Sequence, residues 1–216
     1  MAAEFHTFTL SNGIRVIHKE VPRAASHVSL VINAGSRDEL KGEGGVAHFI
    51  EHCLFKGTKR RKTFHILNRL ERVGGELNAY TTKEETWISA SFLERDMDRA
   101  VELISDIAFN STFPAKEISK ERDVILDEIA SVMDNPSDVI FDEFEERLFG
   151  RHPLGRTILG TPESVKGLRK TDIQAFVKRN YSPDQMVFAS VGSTPIKKLK
   201  RICEKYLSDF KGKGEG

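Results

Sequence analysis

Cysteine is scarce in this chain of 216 residues, which has only Cys53 and Cys203. Two cysteines cannot form the set of disulfides that holds a small secreted scaffold together, so that class of protein is not expected. Both lie in amphipathic stretches, where we expect them to act as small buried apolar residues. This usage fits a reducing compartment.

Long apolar runs and targeting segments are also missing. No stretch approaches the roughly 18 apolar residues that a membrane-spanning helix needs. The first residues, MAAEFHTFTLSNG, do not show a positively charged stretch followed by an apolar one, as a signal peptide would. We therefore expect a soluble chain with no membrane partner, and the absence of targeting signals predicts a cytoplasmic location.

An excess of one charge is the third absence. Lysine and arginine number 33 against 32 aspartates and glutamates, which gives a net charge of +1 and predicts no nucleic-acid partner. The short basic run KGTKRRK, from Lys56 to Lys62, is interpreted as a solvated loop. With 39% apolar and 30% charged residues, the composition is that of an ordinary globular protein.

The periodicity along the chain predicts a mixed α+β fold. A hairpin is expected around Asn12 and Gly13, and the apolar stretch Val28–Ile32 is expected to be a strand buried on both faces. Residues 63–74 predict a helix, with Thr63 as its N-cap. Its expected buried positions are Phe64, Leu67, Leu70 and Val73.

Strands and helices follow each other in an order that favours one largely antiparallel, mixed sheet with helices packed on one face. No linker or repeat interrupts the chain, so residues 1–210 are predicted to form a single domain. Residues 211–216, KGKGEG, have the composition of a polar, Gly-rich tail or linker.

The stretch GGVAHFIEHCLFKG contains the most informative residues of the chain. On a predicted helix from Val46 to Phe55, His48 and His52 are four residues apart and lie on one face, with Glu51 beside them. Two imidazoles at this spacing can hold one zinc ion, and a neighbouring carboxylate can take a proton from the water that zinc activates. The alternative is a helix with two hydrogen-bonded histidines and a surface glutamate.

A third ligand would have to come from elsewhere, and the long helix after Pro114 offers candidates. Its apolar stripe is expected to contain Ile118, Val124, Ile125, Ile129, Val132 and Met133. Glu121 and Glu128 are seven residues apart and share a face that borders this stripe. Carboxylates at the flank of an apolar seam need a partner, which a metal and its histidines would provide. The alternative is an amphipathic helix with an acidic border.

Taken together, these segments resemble the M16, or pitrilysin-like, zinc peptidases. The likeness is carried by GGVAHFIEHCLFKGT, GGELNAYTTKEETWISAS, ERDVILDEI, HPLGRTILGTPESV and YSPDQMVFASVG, and it covers nearly the whole chain. It implies the fold of that family, an M16 metallohydrolase-like α/β roll, and a zinc endopeptidase with one zinc ion per chain that acts on short or unfolded peptides.

The resemblance also implies a role for individual residues. His48, His52 and Glu128 would bind zinc, and Glu51 would be the general base. Glu121 would orient a ligand histidine. On an edge strand, Asn78 and Ala79 would pair with the peptide substrate. The family's members carry at least two such domains, so a second M16-type domain or subunit is an expected partner.

Two other functions stay open at this stage. The chain could be a non-catalytic or incomplete M16 subunit that binds peptides and needs a partner domain for activity, although all the expected ligands and the base are present. S-ribosylhomocysteine lyases share the His-x-x-Glu-His pattern but need a downstream cysteine. Cys203, the only one available, lies in a predicted C-terminal helix away from the expected position.

Overall fold

Six strands form one mixed sheet in the computed structural model, which describes residues 5–210. Their order across the sheet is β1-β2-β6-β3-β5-β4, and only the β2–β6 pair is parallel. The strands are β1 His6–Thr9, β2 Arg15–Glu20, β3 Ala25–Ile32, β4 Glu76–Thr81, β5 Thr86–Leu93 and β6 Met186–Gly192. The predicted largely antiparallel sheet is confirmed, whereas the predicted tail 211–216 lies outside the described residues.

Eight helices complete the described part of the chain. They are α1 Val46–Leu54, α2 Thr63–Glu71, α3 Met97–Asn110, α4 Ala115–Met133, α5 Pro136–Phe149, α6 Pro162–Gly167, α7 Lys170–Asn180 and α8 Ile196–Leu207. Helix α3 lies against β3 and β5, α1 and α2 lie against β4, and α4 packs on α1. The helices thus cover one face of the sheet, as expected. None of the described helices is both long enough and apolar enough to cross a membrane.

The central strands show why only one face of the sheet belongs to the core. In β3, Val28, Leu30 and Ile32 are buried under the helices, whereas Ser29 and Val31 on the opposite face are half-buried. The prediction that this strand is buried on both faces is therefore wrong. Its apolar run hid an alternation with period two, which the neighbouring β5 shows openly.

Helix α2 buries only part of the predicted face: Leu70 is buried as expected, whereas Phe64 and Leu67 are exposed. The helix begins at Thr63, after Lys62 as its N-cap, and its buried residues are Ile66 and Leu70. Phe64 is 69% exposed, so it does not belong to the core. The structural reason is that Ile66 and Leu70, four apart, face β4, and Phe64 lies on the other side of the helix.

The basic run after α1 is only partly solvated, which corrects the interpretation as a loop in water. Lys59, Arg60 and Lys62 are exposed. Arg61, in contrast, donates to Asp106 and Glu102 on α3, at 2.6 and 2.7 Å. These two acids are buried, and a buried carboxylate needs a cation or hydrogen-bond donors as partners.

Helices α4 and α5 differ from the other long helices in how much apolar surface they leave in solvent. On α4, Ile118, Ile125 and Ile129 are buried as predicted, but Val124 and Met133 are exposed. Helix α5 has no buried residue at all. Its exposed apolar side chains form what we call the α5 stripe: Ile140, Phe141, Phe144 and Leu148.

Candidate metal centre

Helix α1 begins at a glycine that no other residue could replace without strain. Gly45, the residue before the helix, has φ of 85° in the left-handed region. A Cβ atom there would lie 2.5 Å from the carbonyl oxygen of Leu159, which is closer than a real contact allows. The backbone before α6 therefore packs directly against the start of α1 and fixes where this helix enters the core.

A buried carboxylate caps this end of α1. Glu39 is 4% exposed, and its two oxygens accept hydrogen bonds from the backbone N–H groups of Gly45 and Ala47, each at 3.0 Å. Burial raises the pKa of Glu39 to about 8, against the opposing effect of these two donors. The first turn of α1 thereby gains acceptors for N–H groups that have no partner within the helix.

Helix α1 is apolar around most of its surface, yet it carries both predicted histidines. Seven of its nine residues are buried, including His48, because the helix lies between β4, α4 and α7. The His48 and His52 rings are 4.6 Å apart between centroids, with their planes 67° apart. The spacing of four residues has brought both rings to the side of α1 that faces α4.

Glu128 on α4 reaches both histidines. Its carboxylate oxygens lie 3.7 Å from His48 Nε2 and 3.4 Å from His52 Nε2. One ligand atom from each of these three residues lies within 4.8 Å of the other two. The structure thus brings together the three residues that the sequence predicted as metal ligands.

This group has the chemistry and the size of a zinc site. Imidazole nitrogen and carboxylate oxygen are normal zinc ligands, and tetrahedral bonds of about 2.0–2.1 Å would separate neighbouring ligand atoms by about 3.4 Å. The observed separations of 3.4 and 3.7 Å to Glu128 are close to that value. Burial and the nearby His52 lower the pKa of His48 to about 4, which keeps its imidazole neutral and its lone pair free.

Glu121, seven residues before Glu128, contacts the far side of the His52 ring. Its Oε2 lies 3.3 Å from His52 Nδ1, and its Oε1 lies 2.8 Å from Lys56 Nζ. A carboxylate at Nδ1 favours the tautomer that carries its proton there, which leaves Nε2 free to bind a metal. Glu121 is therefore placed where the predicted orienting role would put it.

Glu51 lies beside the three-residue group. Its Oε2 is 3.9 Å from His48 Nε2, and its side chain is 17% exposed. Burial, and secondarily the charge of Glu128, raises the pKa of Glu51 to about 7. A carboxyl group with this pKa can take up and release a proton near neutral pH.

The predicted substrate-binding residues lie on an edge of the sheet. Strand β4 pairs only with β5 among the described strands, and α1 packs beside it. Asn78 is exposed, and Ala79 donates its backbone N–H to Asn78 Oδ1 at 2.8 Å. The strand has the open edge that pairing with an extended chain requires.

A cavity of about 710 Å³ lies between the second half of α4, α5 and the segments around Gly44 and Leu159. Its walls combine apolar side chains with acidic ones. The apolar residues include Ile129, Val132 and Met133 of α4, and the acidic ones are Asp142, Glu143 and Glu146 of α5. Glu128, His48 and His52 are not among its lining residues, so the cavity is separate from the candidate metal centre.

The two cysteines are buried, as expected. Cys53 follows His52, but burial raises the pKa of its thiol to about 12. Cys203 lies on α8, which packs on α3, and burial raises its pKa to about 12 as well. Neither thiol forms a reactive thiolate at neutral pH, which argues against a lyase that depends on a catalytic cysteine.

Two residues near the centre, Lys56 and Glu39, were not predicted from the sequence. Lys56 was assigned to a solvated loop, although a lysine four residues after His52 continues the same helical face. Glu39 lies nine residues before His48, in a segment without regular periodicity. The only local signal was a glutamate shortly before the pair Gly44 and Gly45, and that pattern alone does not predict a cap.

Comparison with known proteins agrees with this geometry. The family model described as Insulinase (Peptidase family M16) matches residues 15–162, and the one described as Peptidase M16 inactive domain matches residues 167–216. A protease from Helicobacter pylori of known crystal structure superposes with a TM-score of 0.94 at 26% sequence identity. That superposition covers 99% of this chain and 52% of the Helicobacter chain.

Curated relatives point the same way. An uncharacterized zinc protease of Mycobacterium leprae is 43% identical over 201 residues, which cover 92% of this chain and 45% of the relative. The mitochondrial-processing peptidase subunit beta of Neurospora crassa is 38% identical over 203 residues, which cover 94% of this chain and 43% of that protein. The chain spans less than half the length of these curated relatives. From the family match and the shared fold, we conclude that this chain belongs to the M16 peptidase family.

Proposed function

We propose that the chain is a zinc-dependent endopeptidase that cleaves short or unfolded peptides. The observation that carries the proposal is the convergence of His48, His52 and Glu128 within 4.8 Å, beside the buried carboxyl group of Glu51. These three residues would hold one zinc ion per chain through two imidazole nitrogens and one carboxylate. The bound zinc would polarise the scissile carbonyl and lower the pKa of a water molecule toward 7.

In this proposal the side chain of Glu51 handles the proton. As a carboxylate it would take a proton from the attacking water, and as a carboxylic acid it would pass that proton to the leaving amine. In the metal-free chain burial raises its pKa to about 7, and the charge of a bound zinc ion would lower that pKa and favour the carboxylate that accepts the proton. Glu121 would keep the Nδ1 proton on His52, and Lys56 would hold Glu121 in place.

Strand β4 would hold the substrate. An extended peptide could add to its free edge through backbone hydrogen bonds, with Asn78 and Ala79 at the contact. This mode reads little of the peptide's sequence, which fits a short or unfolded substrate.

A second M16-type domain or subunit would complete the enzyme. The chain covers less than half of its curated relatives, and one of these is named a subunit. The α5 stripe leaves apolar side chains in solvent, as expected of a surface that a partner covers. The exposed α5 stripe also favours a second candidate function, that of an M16 subunit that binds peptides but becomes active only with its partner. A cytoplasmic location remains a prediction.

Elemental analysis of the purified chain after incubation with zinc tests the metal site. We expect about one zinc per chain in the unaltered protein and in Glu51→Gln, and little in His52→Ala. Glu51→Gln keeps the size of the side chain and cannot act as a base, so it separates metal binding from proton transfer. A chain that takes up no zinc when zinc is supplied would contradict the ligand assignment.

A quenched fluorescent peptide then distinguishes the two candidate functions. Cleavage by the zinc-loaded chain, lost in Glu51→Gln, would support a complete active site. Zinc binding without cleavage would support the incomplete subunit. For the substrate edge, Asn78→Ala should weaken peptide binding and leave the zinc content unchanged.

A further inference from the structure

We propose that Glu39 is a positioning residue for the candidate metal centre: its carboxylate fixes the first turn of α1 and thereby the direction of His48. This inference rests on the proposed zinc-binding function. Nothing in the family match or the relatives' names points to Glu39, and its side chain contacts neither His48 nor the other predicted ligands through any hydrogen bond found among the described residues.

The contacts of Glu39 are those of a bridge between a loop and a helix. One carboxylate oxygen accepts the N–H of Gly45 and the other accepts the N–H of Ala47, each at 3.0 Å. The backbone carbonyl of Glu39 in turn accepts a hydrogen bond from Nη1 of Arg156 at 2.9 Å. The loop before α1, the start of α1 and the segment that precedes α6 are therefore joined at one buried residue.

A side chain from outside α1 has to accept the N–H groups of its first turn, because α1 has no side-chain N-cap. The capping position is Gly45, which has no side chain to accept a hydrogen bond. Glycine is nevertheless required there by its left-handed φ and by the close carbonyl of Leu159. The carboxyl group of Glu39, six residues before Gly45, supplies the missing acceptors through both of its oxygens.

The link to the metal centre is short. Ala47, which donates to Glu39, is the residue directly before His48, and His48 lies within the same first turn of α1. His48 Nδ1 is buried without a hydrogen-bond partner, so no side chain beyond the ring holds His48 as Glu121 holds His52. The orientation of His48 therefore depends on its backbone, and the backbone of that turn depends on Glu39.

Amide hydrogen exchange of the metal-free chain tests the hold on the helix directly. In Glu39→Ala, exchange at Gly45 and Ala47 should accelerate at least tenfold, with no comparable change at Leu30 and Ile88 in the sheet. Exchange at Gly45 and Ala47 in Glu39→Gln should be intermediate between that of the unaltered chain and that of Glu39→Ala. The amide offers one acceptor oxygen, whereas the carboxylate offers two. Glu39→Gln also keeps the size of the side chain should the alanine variant fold poorly.

The matched control is Glu43→Gln. Glu43 belongs to the same loop and also uses its carboxylate within it, accepting the N–H of Leu40 and pairing with Arg179. Its only hydrogen bond to the first turn of α1 in the described structure is made by its backbone carbonyl, which accepts the N–H of Val46 at 2.9 Å and is retained in the glutamine variant. This variant should therefore leave exchange at Ala47 unchanged.

Zinc affinity, measured by competition with a chelator, provides the second readout. Positioning contacts around metal ligands typically change affinity by about 10–100-fold. We expect a loss of about that size for Glu39→Ala, a smaller one for Glu39→Gln and none for Glu43→Gln. The absorption bands of the cobalt-substituted chain should shift in Glu39→Ala, because they report the geometry of the ligands, which a general loss of stability would not alter.

The outcomes separate the two proposals. Equal zinc affinity and unchanged cobalt bands in all variants would overturn the role of Glu39 and leave the proposed function intact. Unchanged exchange at Ala47 in Glu39→Ala would overturn it as well. No zinc binding by the unaltered chain would overturn the proposed function, while the exchange experiment would still decide whether Glu39 fixes the first turn of α1.

Discussion

Helices α1 and α5 each carry six apolar side chains, among nine residues in α1 and fourteen in α5, but they are buried to opposite extents. Seven of the nine residues of α1 are buried, and none of the fourteen residues of α5 is. Helix α1 lies between β4, α4 and α7, whereas α5 packs along α4 and leaves the α5 stripe in solvent. The candidate metal centre is built on the first helix, and the second lines the cavity between α4 and α5.

This difference shows which parts of the proposed enzyme the chain supplies by itself. The ligands, the candidate base and their supporting contacts all come from elements packed into one core. The surface that would face a partner or a long substrate is formed by α5, which has no buried residue. Metal binding should therefore depend on the stability of the core, whereas α5 should tolerate changes that α1 does not.

Truncating one phenylalanine in each helix gives the largest expected contrast. Phe49 on α1 is completely buried, so Phe49→Ala should lower the free energy of unfolding by about 3–5 kcal/mol. Phe144 on α5 is 61% exposed, and Phe144→Ala should change it by no more than about 0.5 kcal/mol. Urea unfolding followed by circular dichroism measures both. Similar losses in the two variants would show that α5 is packed in solution.

A pair of glycines sharpens the comparison at the start of α1. Gly45 and Gly74 both have left-handed φ, at 85° and 76°, but a Cβ at Gly74 would meet no atom within 4 Å. Gly74→Ala should lower the free energy of unfolding by about 1–2 kcal/mol, from backbone strain alone. Gly45→Ala adds overpacking against Leu159, for a total of about 3 kcal/mol. Thermal unfolding compares the two, and equal losses would mean that the backbone before α6 does not press on α1.

The buried carboxyl group of Glu51 should make stability depend on pH in the metal-free chain. Its pKa in the folded chain is about 7, above the ordinary 4.5, so the protonated form favours folding. That contribution is complete below pH 4.5 and is lost as the pH rises through 7. Between these values the unaltered chain should lose up to about 3 kcal/mol relative to Glu51→Gln, whose side chain does not titrate.

Denaturant unfolding of both chains with a chelator present, at pH values from 4.5 to 8, measures this difference. Effects of the other titrating groups, including His48, are common to the two chains and cancel. A stability difference that stays constant across the range would show that the pKa of Glu51 is not raised in the folded chain.

The sequence allowed better prediction of the residues at the centre of the site than of those that contact the surrounding backbone, such as Glu39. His48 and His52 were recognisable because one helix places residues four apart on one face, and Glu121 and Glu128 because seven residues make nearly two turns. Choosing Glu128 as the ligand required the family resemblance, since spacing alone leaves both carboxylates equivalent. Glu39 could not be predicted, because its contact with α1 depends on the path of an irregular loop.

The same distinction explains the errors in the fold. The alternation of polar and apolar residues in β5 shows its buried face directly, whereas β3 has apolar residues on both faces and its sequence suggests a fully buried strand. On α2 the prediction of Leu70 was correct, but Phe64 and Leu67 were grouped with it instead of Ile66, because both sets fit a helical period. Only the position of β4 decides between the two faces. Local periodicity gives the type of element, and the partner that covers it decides which side is buried.

Lys56 offers the smallest and most specific test of how α1 and α4 are joined at the centre. Its ammonium group lies 2.8 Å from Glu121 Oε1, and the other oxygen of Glu121 faces His52 Nδ1. Lys56→Met removes the charge but keeps the length and most of the apolar stem of the side chain. Because Lys56 acts on the ligand only through Glu121, we expect zinc affinity to fall by no more than about tenfold.

The matched control is Lys59→Met, which changes an exposed lysine of the same basic run and should leave zinc binding as it is in the unaltered chain. In Glu121→Gln the partner of Lys56 is already neutral, so adding Lys56→Met there should have little further effect. Independent losses in the double variant would mean that Lys56 influences the metal through the general charge of the surface and not through Glu121.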